Sequence, residues 1–244
     1  MKYLFFDTEM ATCKGGQYKM CEFGYVVTDE KFNIIKRGNI IIDPNIDRRD
    51  WDWYAVRKIL TRKIDDYIGQ PTFLAVYDDI LEIFKGIDLV IGHTLDSDAK
   101  SLNDDCRRYE LSPINFSFCD VKKIYRDYSN GKEDISLENL MQLLNVEGEG
   151  KLHDAEYDAV NTMLCFKALL KTMDKSLDKY LEEHPEQIDK SENLVVKSVK
   201  DKHQKEKQRE MDKLHYTTNE DNKPSNLGDR FADVFAQLEK ELDD

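Results

Sequence analysis

The chain begins with an apolar run, Tyr3-Leu4-Phe5-Phe6, which is followed at once by two acids, Asp7 and Glu9. A run that is apolar at every position predicts a strand buried inside a sheet. Residues two apart on an extended chain share a face, so the two carboxylates point the same way. Like charges at this spacing repel unless they are solvated, protonated or bridged by a cation. The pair is therefore either a solvated strand end or half of a metal site.

The apolar pattern of the first 173 residues predicts an α/β fold. Strands are predicted over residues 2–6, 21–28, 32–42, 88–92 and 115–120, and helices over about 53–68, 71–85, 97–110, 121–128, 137–144 and 154–173. The first three strands have short connections, which favours an antiparallel meander. The later strands alternate with helices. This order predicts a mixed central sheet with helices on both faces.

The rest of the chain has a different character. Residues 174–228 are rich in charge and poor in large apolar side chains, and we expect a linker that is helical or disordered. Residues 229–244 have one apolar helical face and are expected to form a short amphipathic helix, which either docks on the domain or binds a protein partner. The predicted domains are thus an α/β domain over 1–173, the linker and the terminal helix.

Charge and cysteine content limit the function classes. A net charge of −13 opposes a protein that coats nucleic acid through phosphate contacts, although cations held by acidic clusters can reverse the local field. The five cysteines are scattered and contain no CxxC, which indicates reduced thiols in a cytoplasmic protein. No apolar run is long enough to span a bilayer, so we expect neither a membrane helix nor a signal peptide.

A second group of acids follows the strand predicted over 88–92. Asp96 and Asp98 stand at the start of the next helix. Open α/β sheets bind ligands at the carboxyl ends of their strands, so an acid here can face the same crevice as Asp7. Helix starts also favour aspartate as a cap, and either acid taken singly is more often structural.

The segment KLHDAEYDAV supplies a histidine and a further acid. If its helix begins at Asp154, His153 lies on the preceding loop, above a site that Asp158 faces from the first turn. The small residues Ala155 and Ala159 allow the helix to approach the sheet closely. A single histidine before a helix is usually structural, so the functional interpretation depends on all three segments together.

Four carboxylates and one histidine suit phosphodiester hydrolysis. Oxygen ligands favour Mg²⁺ or Mn²⁺. Two such ions can stabilise the attacking and leaving oxygens of an in-line displacement, and an imidazole can accept a proton near neutral pH.

The order D-x-E, then GH-x4-D, then H-D-A-x-x-D-A resembles the DEDDh group of 3′→5′ exonucleases over about residues 1–173. That group has the DnaQ-like, RNase H-like fold and includes proofreading subunits of DNA polymerases, RNase T and oligoribonuclease. The resemblance implies metal-dependent release of nucleoside 5′-monophosphates from a single-stranded or frayed 3′ end. DNA is the favoured substrate, and RNA is the alternative.

The resemblance also implies a role for each matching residue. The ligands of two Mg²⁺ or Mn²⁺ ions are expected to be Asp7, Glu9, Asp98 and Asp158, with His153 as the general base. The expected substrate contacts are Thr8, Met10 and His93. Asp98 is preferred to Asp96 because its distance from Gly92-His93 fits the family spacing.

A catalytically silent or accessory nucleic-acid-binding module with the same fold is the alternative. The intact set of four acids and one histidine argues against it, because a silent relative would be free to lose a member. If the domain were purely structural, all three motifs would have to match the family pattern by chance, independently of one another.

Overall fold

The computed structural model describes residues 1–13, 18–131 and 135–194. Within them, six strands form one mixed sheet: β1 (Lys2–Thr12), β2 (Tyr18–Asp29), β3 (Ile34–Ile41), β4 (Leu89–Gly92), β5 (Ser117–Asp120) and β6 (Asp189–Lys190). Their spatial order is β3-β2-β1-β4-β5-β6. The first three strands form an antiparallel meander, β1, β4 and β5 run parallel, and β6 is antiparallel to β5. The predicted mixed sheet is confirmed.

Helices pack on both faces of this sheet. They are α1 (Trp53–Lys58), α2 (Ile64–Tyr67), α3 (Phe73–Phe84), α4 (Leu95–Arg108), α5 (Val121–Tyr128), α6 (Leu137–Leu143), α7 (Ala155–Thr172) and α8 (Leu177–Glu183). The single helix predicted over 53–68 is wrong, because residues 59–63 separate α1 from α2. In this break Leu60 is buried, and the guanidinium of Arg62 turns inward to carboxylates on β2 and before α7.

The apolar run of β1 supplies two cores, one on each face of the sheet. Tyr3 and Phe5 are buried together with side chains of α7, whereas Leu4 and Phe6 are buried together with side chains of α3 and α4. The alternation continues along the strand. It directs Asp7 and Glu9 toward the α7 side, and the intervening residue toward α4.

The start of α7 lies directly on the sheet. Gly24 of β2 pairs with Asp7 of β1, and a Cβ at position 24 would overlap the backbone of Ala155. Ala155 and Ala159 are both buried against the sheet, as their small size predicts. Only a glycine at position 24 allows this approach, which brings the first turn of α7 beside the acids of β1.

The packed part of the chain extends beyond residue 173. Leu177 and Tyr180 of α8 are buried in the same core as α7, and β6 adds to the sheet. The later part of the predicted linker over 174–228 and the whole predicted helix over 229–244 lie outside the described residues. The predicted domain boundaries and the protein partner of the terminal helix therefore stay predictions.

Two further features concern the described residues as a whole. None of their helices is both long and apolar enough to cross a lipid bilayer. All five cysteines lie within these residues as free thiols, and four of them are buried. Buried thiols behave as small apolar side chains, so these cysteines contribute to packing.

Candidate active site

Asp7 and Glu9 lie within β1 and not at its end. The strand continues to Thr12 by pairing with β2, and Glu9 stands opposite Glu22 in the register. The strand end predicted at residue 6 is wrong, because polar residues hide the continuing strand from an apolar pattern. The register shifts directly after Glu9, and a bulge of this kind redirects side chains. Glu9 is only 5% exposed, whereas Asp7 is partly exposed.

Helix α4 brings Asp98 to β1. Its side chain is buried, and one carboxylate oxygen, Oδ1, accepts hydrogen bonds from the backbone N–H of Thr8 at 3.1 Å and from the Thr8 hydroxyl at 2.6 Å. Asp96 is partly exposed and pairs with the Lys123 ammonium at 3.0 Å. The structure thus places Asp98 beside the β1 acids and directs Asp96 elsewhere.

The start of α4 is held by Asp120, which sequence reasoning missed. This buried acid at the end of β5 accepts backbone N–H groups of Thr94 at 3.2 Å and Leu95 at 2.9 Å, as well as that of Lys122 at 2.8 Å. Thr94 has a left-handed backbone, with φ of 63°. The available signal was an acid that follows a short apolar strand, the same pattern as in β1.

Helix α7 places Asp158 in its first turn, with His153 on the loop before it. The backbone N–H of His153 donates to Asp158 Oδ2 at 2.9 Å, and His153 has a left-handed backbone with φ of 65°. This bond turns the loop back over the helix start. One ligand atom each from Glu9, His153 and Asp158 lie within 4.8 Å of one another. The structure therefore brings the first and third motifs together.

The second carboxylate oxygen of Asp158 marks a place for a cation. This atom, Oδ1, is buried and accepts no hydrogen bond from the described residues. A buried acceptor without a donor is costly, and buried polar atoms are nearly always paired. Oxygen atoms of carboxylates are the ligands that hard divalent cations prefer. The site thus fits such a cation.

Burial raises the pKa of all four carboxylates, and the charge of neighbouring acids adds to the effect. The pKa of Glu9 rises to about 9, that of Asp98 to about 7 and that of Asp158 to about 6. The pKa of Asp7 is raised well above its usual range, first by burial and then by the charge of Asp98. Mutually repelling carboxylates of this kind are stabilised by bound protons or by cations.

A buried polar network lies behind Glu9. The carboxylate of Glu22 is fully buried and accepts hydrogen bonds from three side chains, those of Asn39 at 2.6 Å, Tyr67 at 2.6 Å and Arg62 at 2.7 Å. The Arg62 guanidinium also donates to Asp154, the residue before α7, at 3.0 Å. The network ties β2 to the start of α7. Sequence reasoning missed it, because its members are far apart along the chain.

The three expected substrate contacts occupy different surroundings. Thr8 is engaged with Asp98, and Met10 is partly buried against the core on the α4 side of the sheet. His93 is half-buried after β4, and its Nδ1 lies 3.4 Å from the Thr94 hydroxyl. Contact of these residues with a substrate stays a prediction.

A comparison with protein families shows the family of this chain. A family model described as exonuclease, of the RNase T type, matches residues 4–166, which is more than half of the chain. The chain belongs to this exonuclease family. The match covers β1 from Leu4 onward, all of α4 and the first turns of α7, and the four carboxylates lie within these parts.

Solved structures share the fold of this exonuclease. The nuclease domain of 3′hExo, a DEDDh family member bound to rAMP, is 16% identical with a TM-score of 0.61, covering 72% of this chain and 93% of that one. Cell-death related nuclease 4 (CRN-4) is 15% identical with a TM-score of 0.61, covering 70% and 64%.

A bacterial nuclease also shares this fold. Exonuclease I of E. coli in complex with a dA16 oligonucleotide is 19% identical with a TM-score of 0.60, and the match covers 75% of this chain but 43% of Exonuclease I. By sequence, no curated protein matches the chain. At these identities the structural matches establish the RNase H-like exonuclease fold.

Proposed function

We propose that this chain is a metal-dependent 3′→5′ exonuclease that releases nucleoside 5′-monophosphates from the end of a nucleic acid. The observation that carries the proposal is the convergence of β1, α4 and α7. These three elements bring four carboxylates of raised pKa to one place, beside a histidine. Membership of the exonuclease family supports the reaction class.

Asp7, Glu9, Asp98 and Asp158 would hold two divalent ions, Mg²⁺ or Mn²⁺. Exonucleases of the DEDDh family depend on metal, and the ligand set here consists of oxygen atoms. The buried Oδ1 of Asp158, which accepts no hydrogen bond from any residue that the structure describes, supports this assignment, as does the repulsion among the acids. When bound, the ions would neutralise phosphate charge and lower the pKa of the attacking water.

His153 would receive the proton of that water. Its imidazole is exposed, with a ring nitrogen within 4.8 Å of carboxylate oxygens of Glu9 and Asp158. The hydrogen bond from its backbone to Asp158 fixes the loop, and exposure lets the ring pass the proton on to solvent. The water oxygen bonds to phosphorus as the bond to the 3′ oxygen breaks, and that oxygen takes a proton from solvent to become the new 3′ hydroxyl. The terminal nucleotide leaves as a 5′-monophosphate.

A single-stranded or frayed 3′ end is the proposed substrate, with DNA favoured and RNA as the alternative. Structures that share the fold support both. Exonuclease I of E. coli holds a dA16 oligonucleotide, and another structure concerns recognition of a histone mRNA stem-loop by a 3′-exonuclease.

A parallel degradation assay tests the proposal. DNA and RNA oligonucleotides of one sequence, labelled at the 3′ or the 5′ end, are incubated with Mn²⁺, with Mg²⁺ or with EDTA. We expect the 3′ label to appear at once as a mononucleotide, and the 5′ label to shorten stepwise, only when metal is present. Release of the 5′ label first would overturn the polarity. If the chain binds the oligonucleotides but does not shorten them with metal present, the alternative function, an accessory nucleic-acid-binding module, would be supported instead.

A further inference from the structure

Residues 48–63 are a basic segment in an acidic chain. They contain six arginine or lysine residues and two acids, whereas the whole chain has a net charge of −13. The segment comprises a 3₁₀ turn over Arg48–Asp50, helix α1 and the connection to α2. We call its solvent-facing side the 48–63 face. Three of the segment's arginines are ion-paired with carboxylates of the fold, so the positive charge suited to a polyanion lies on the exposed Arg57, Lys58 and Lys63.

Two contacts attach the segment to the strands that carry the site, β1 and β2. In its first third, the backbone N–H of Asp52 donates to the carbonyl of Thr12, the last residue of β1, at 2.8 Å. At its end, Arg62 pairs with Glu22, which stands opposite Glu9 in the register of the sheet. The segment therefore runs alongside the half of β1 that carries the acids.

Two adjacent aromatic side chains on α1 are exposed. Trp53 is 47% exposed and Tyr54 is 69% exposed, whereas Trp51, two residues earlier, is fully buried and stacks on Tyr67. The guanidinium of Arg57 lies 5.8 Å from the centre of the Trp53 ring. Consecutive helix positions lie about 100° apart around the axis, so the two rings offer separate stacking surfaces. Exposed aromatic side chains accompanied by positive charge are typical of surfaces that hold single-stranded nucleic acid.

We propose that the 48–63 face binds the single strand upstream of the scissile bond. Bases stack on Trp53 and Tyr54, and phosphates pair with Arg57 and Lys58, both of which are exposed. A nucleic acid fits better than an apolar peptide, because positive charges accompany the rings. This inference rests on the proposed function and extends it, since it places the strand that leads away from the carboxylates.

Tryptophan fluorescence provides a direct test, because the chain has two tryptophans, Trp51 buried and Trp53 exposed. An Asp158→Asn background prevents degradation of a single strand of about 12 nucleotides, a length within the range of single-strand binding sites. We expect the strand to quench the emission. Trp53→Phe should retain binding but lose most of the quenching, and the Trp53→Ala, Tyr54→Ala double variant should bind about tenfold more weakly.

Two controls test whether binding depends on the positive charges and on the position of the aromatic rings. Replacing Arg57 and Lys58 with alanine should reduce the salt dependence of binding by about 0.7 in the log–log slope for each lost phosphate contact. Tyr128→Ala removes another exposed aromatic ring, at the far end of α5, and should bind like its parent.

The outcomes separate this inference from the proposed function. Parental affinity in the Trp53, Tyr54 double variant would overturn the 48–63 face as a binding surface, even if the wild-type chain degrades oligonucleotides. Weakened binding with no degradation by the wild-type chain would support the face and overturn the exonuclease proposal. An equal loss of affinity for a nucleoside 5′-monophosphate, which has no base upstream of a scissile bond, would also contradict the inference.

Discussion

Thr8 holds Asp98 through two hydrogen bonds to one carboxylate oxygen, from its backbone N–H at 3.1 Å and from its hydroxyl at 2.6 Å. Thr8 lies between Asp7 and Glu9 on β1, and its side chain faces the opposite side of the sheet. The contact therefore joins the acid of α4 to the acids of β1. It orients a proposed metal ligand, and groups that orient ligands commonly control metal affinity.

The Thr8 hydroxyl can be removed with little change of shape. Thr8→Val keeps the backbone donor and loses the side-chain donor, so we expect the Mn²⁺ concentration for half-maximal nuclease activity to rise about tenfold. Thr8→Ser restores the hydroxyl and should behave like the wild type. An unchanged Mn²⁺ dependence in Thr8→Val would show that the hydroxyl does not orient Asp98.

The carboxylate cluster predicts an unusual pH dependence of stability. Burial raises the pKa values of Asp158, Asp98 and Glu9 to about 6, 7 and 9. In the unfolded chain, carboxyl groups have pKa values of about 4. The folded state then binds more protons than the unfolded state, so the free energy of unfolding falls as pH rises from about 4 to 9.

Thermal melts in EDTA across this pH range measure the effect. We expect the melting temperature to fall steadily with rising pH, and Mn²⁺ to flatten the curve because it replaces protons as the compensating charge. A melting temperature in EDTA that stays level or climbs over the same range would contradict the repulsive cluster.

Close packing of α7 on β2 makes Gly24 sensitive to a single methyl group. In Gly24→Ala the new Cβ overlaps the backbone of Ala155, and this overlap can be relieved only if the start of α7 moves away from the sheet. We expect a loss of about 1–3 kcal/mol in urea unfolding, together with lower activity because Asp158 moves with the helix. Gly38→Ala is the matched control, since its Cβ meets only the end of the Tyr25 side chain at 3.1 Å. Equal stability of the two variants would argue against the tight approach.

The buried carboxylate of Glu22 depends on the Tyr67 hydroxyl, at 2.6 Å. Tyr67→Phe leaves one oxygen of Glu22 short of a donor in a buried place, and we expect a cost of about 1–3 kcal/mol in urea unfolding. Tyr77→Phe serves for comparison, because its hydroxyl bonds the carbonyl of Ser112 at the surface, at 2.9 Å. If Tyr77→Phe proved the more damaging change, the Glu22 network would contribute little to the fold.

The acids of the three motifs could be predicted because each stands near a recognisable boundary, after an apolar strand or in a first helical turn. The same local signals failed where polar residues continue a strand, as in β1 beyond Phe6. They failed again where an inward-turning arginine interrupts a helix, as at Arg62.

Glu22 shows why the rest of the site was hidden. Its carboxylate is satisfied by Asn39, Arg62 and Tyr67, which are between 17 and 45 residues away along the chain. Each of these polar residues, taken alone, resembles a solvated one. Only the folded sheet shows that they surround a single buried charge beside Glu9.

The most direct test of the active-site assignment is metal-dependent release of mononucleotides by single-acid variants, measured on a 3′-labelled oligonucleotide. Asp7→Ala and Asp158→Ala should release nothing above the EDTA background, and their melting temperatures in EDTA should be no lower than that of the wild type. Asp96→Ala is the matched control on α4, since Asp96 pairs with Lys123 away from the cluster, and it should release nucleotides at the wild-type rate. Wild-type release by Asp7→Ala or Asp158→Ala would contradict the assignment of the active site.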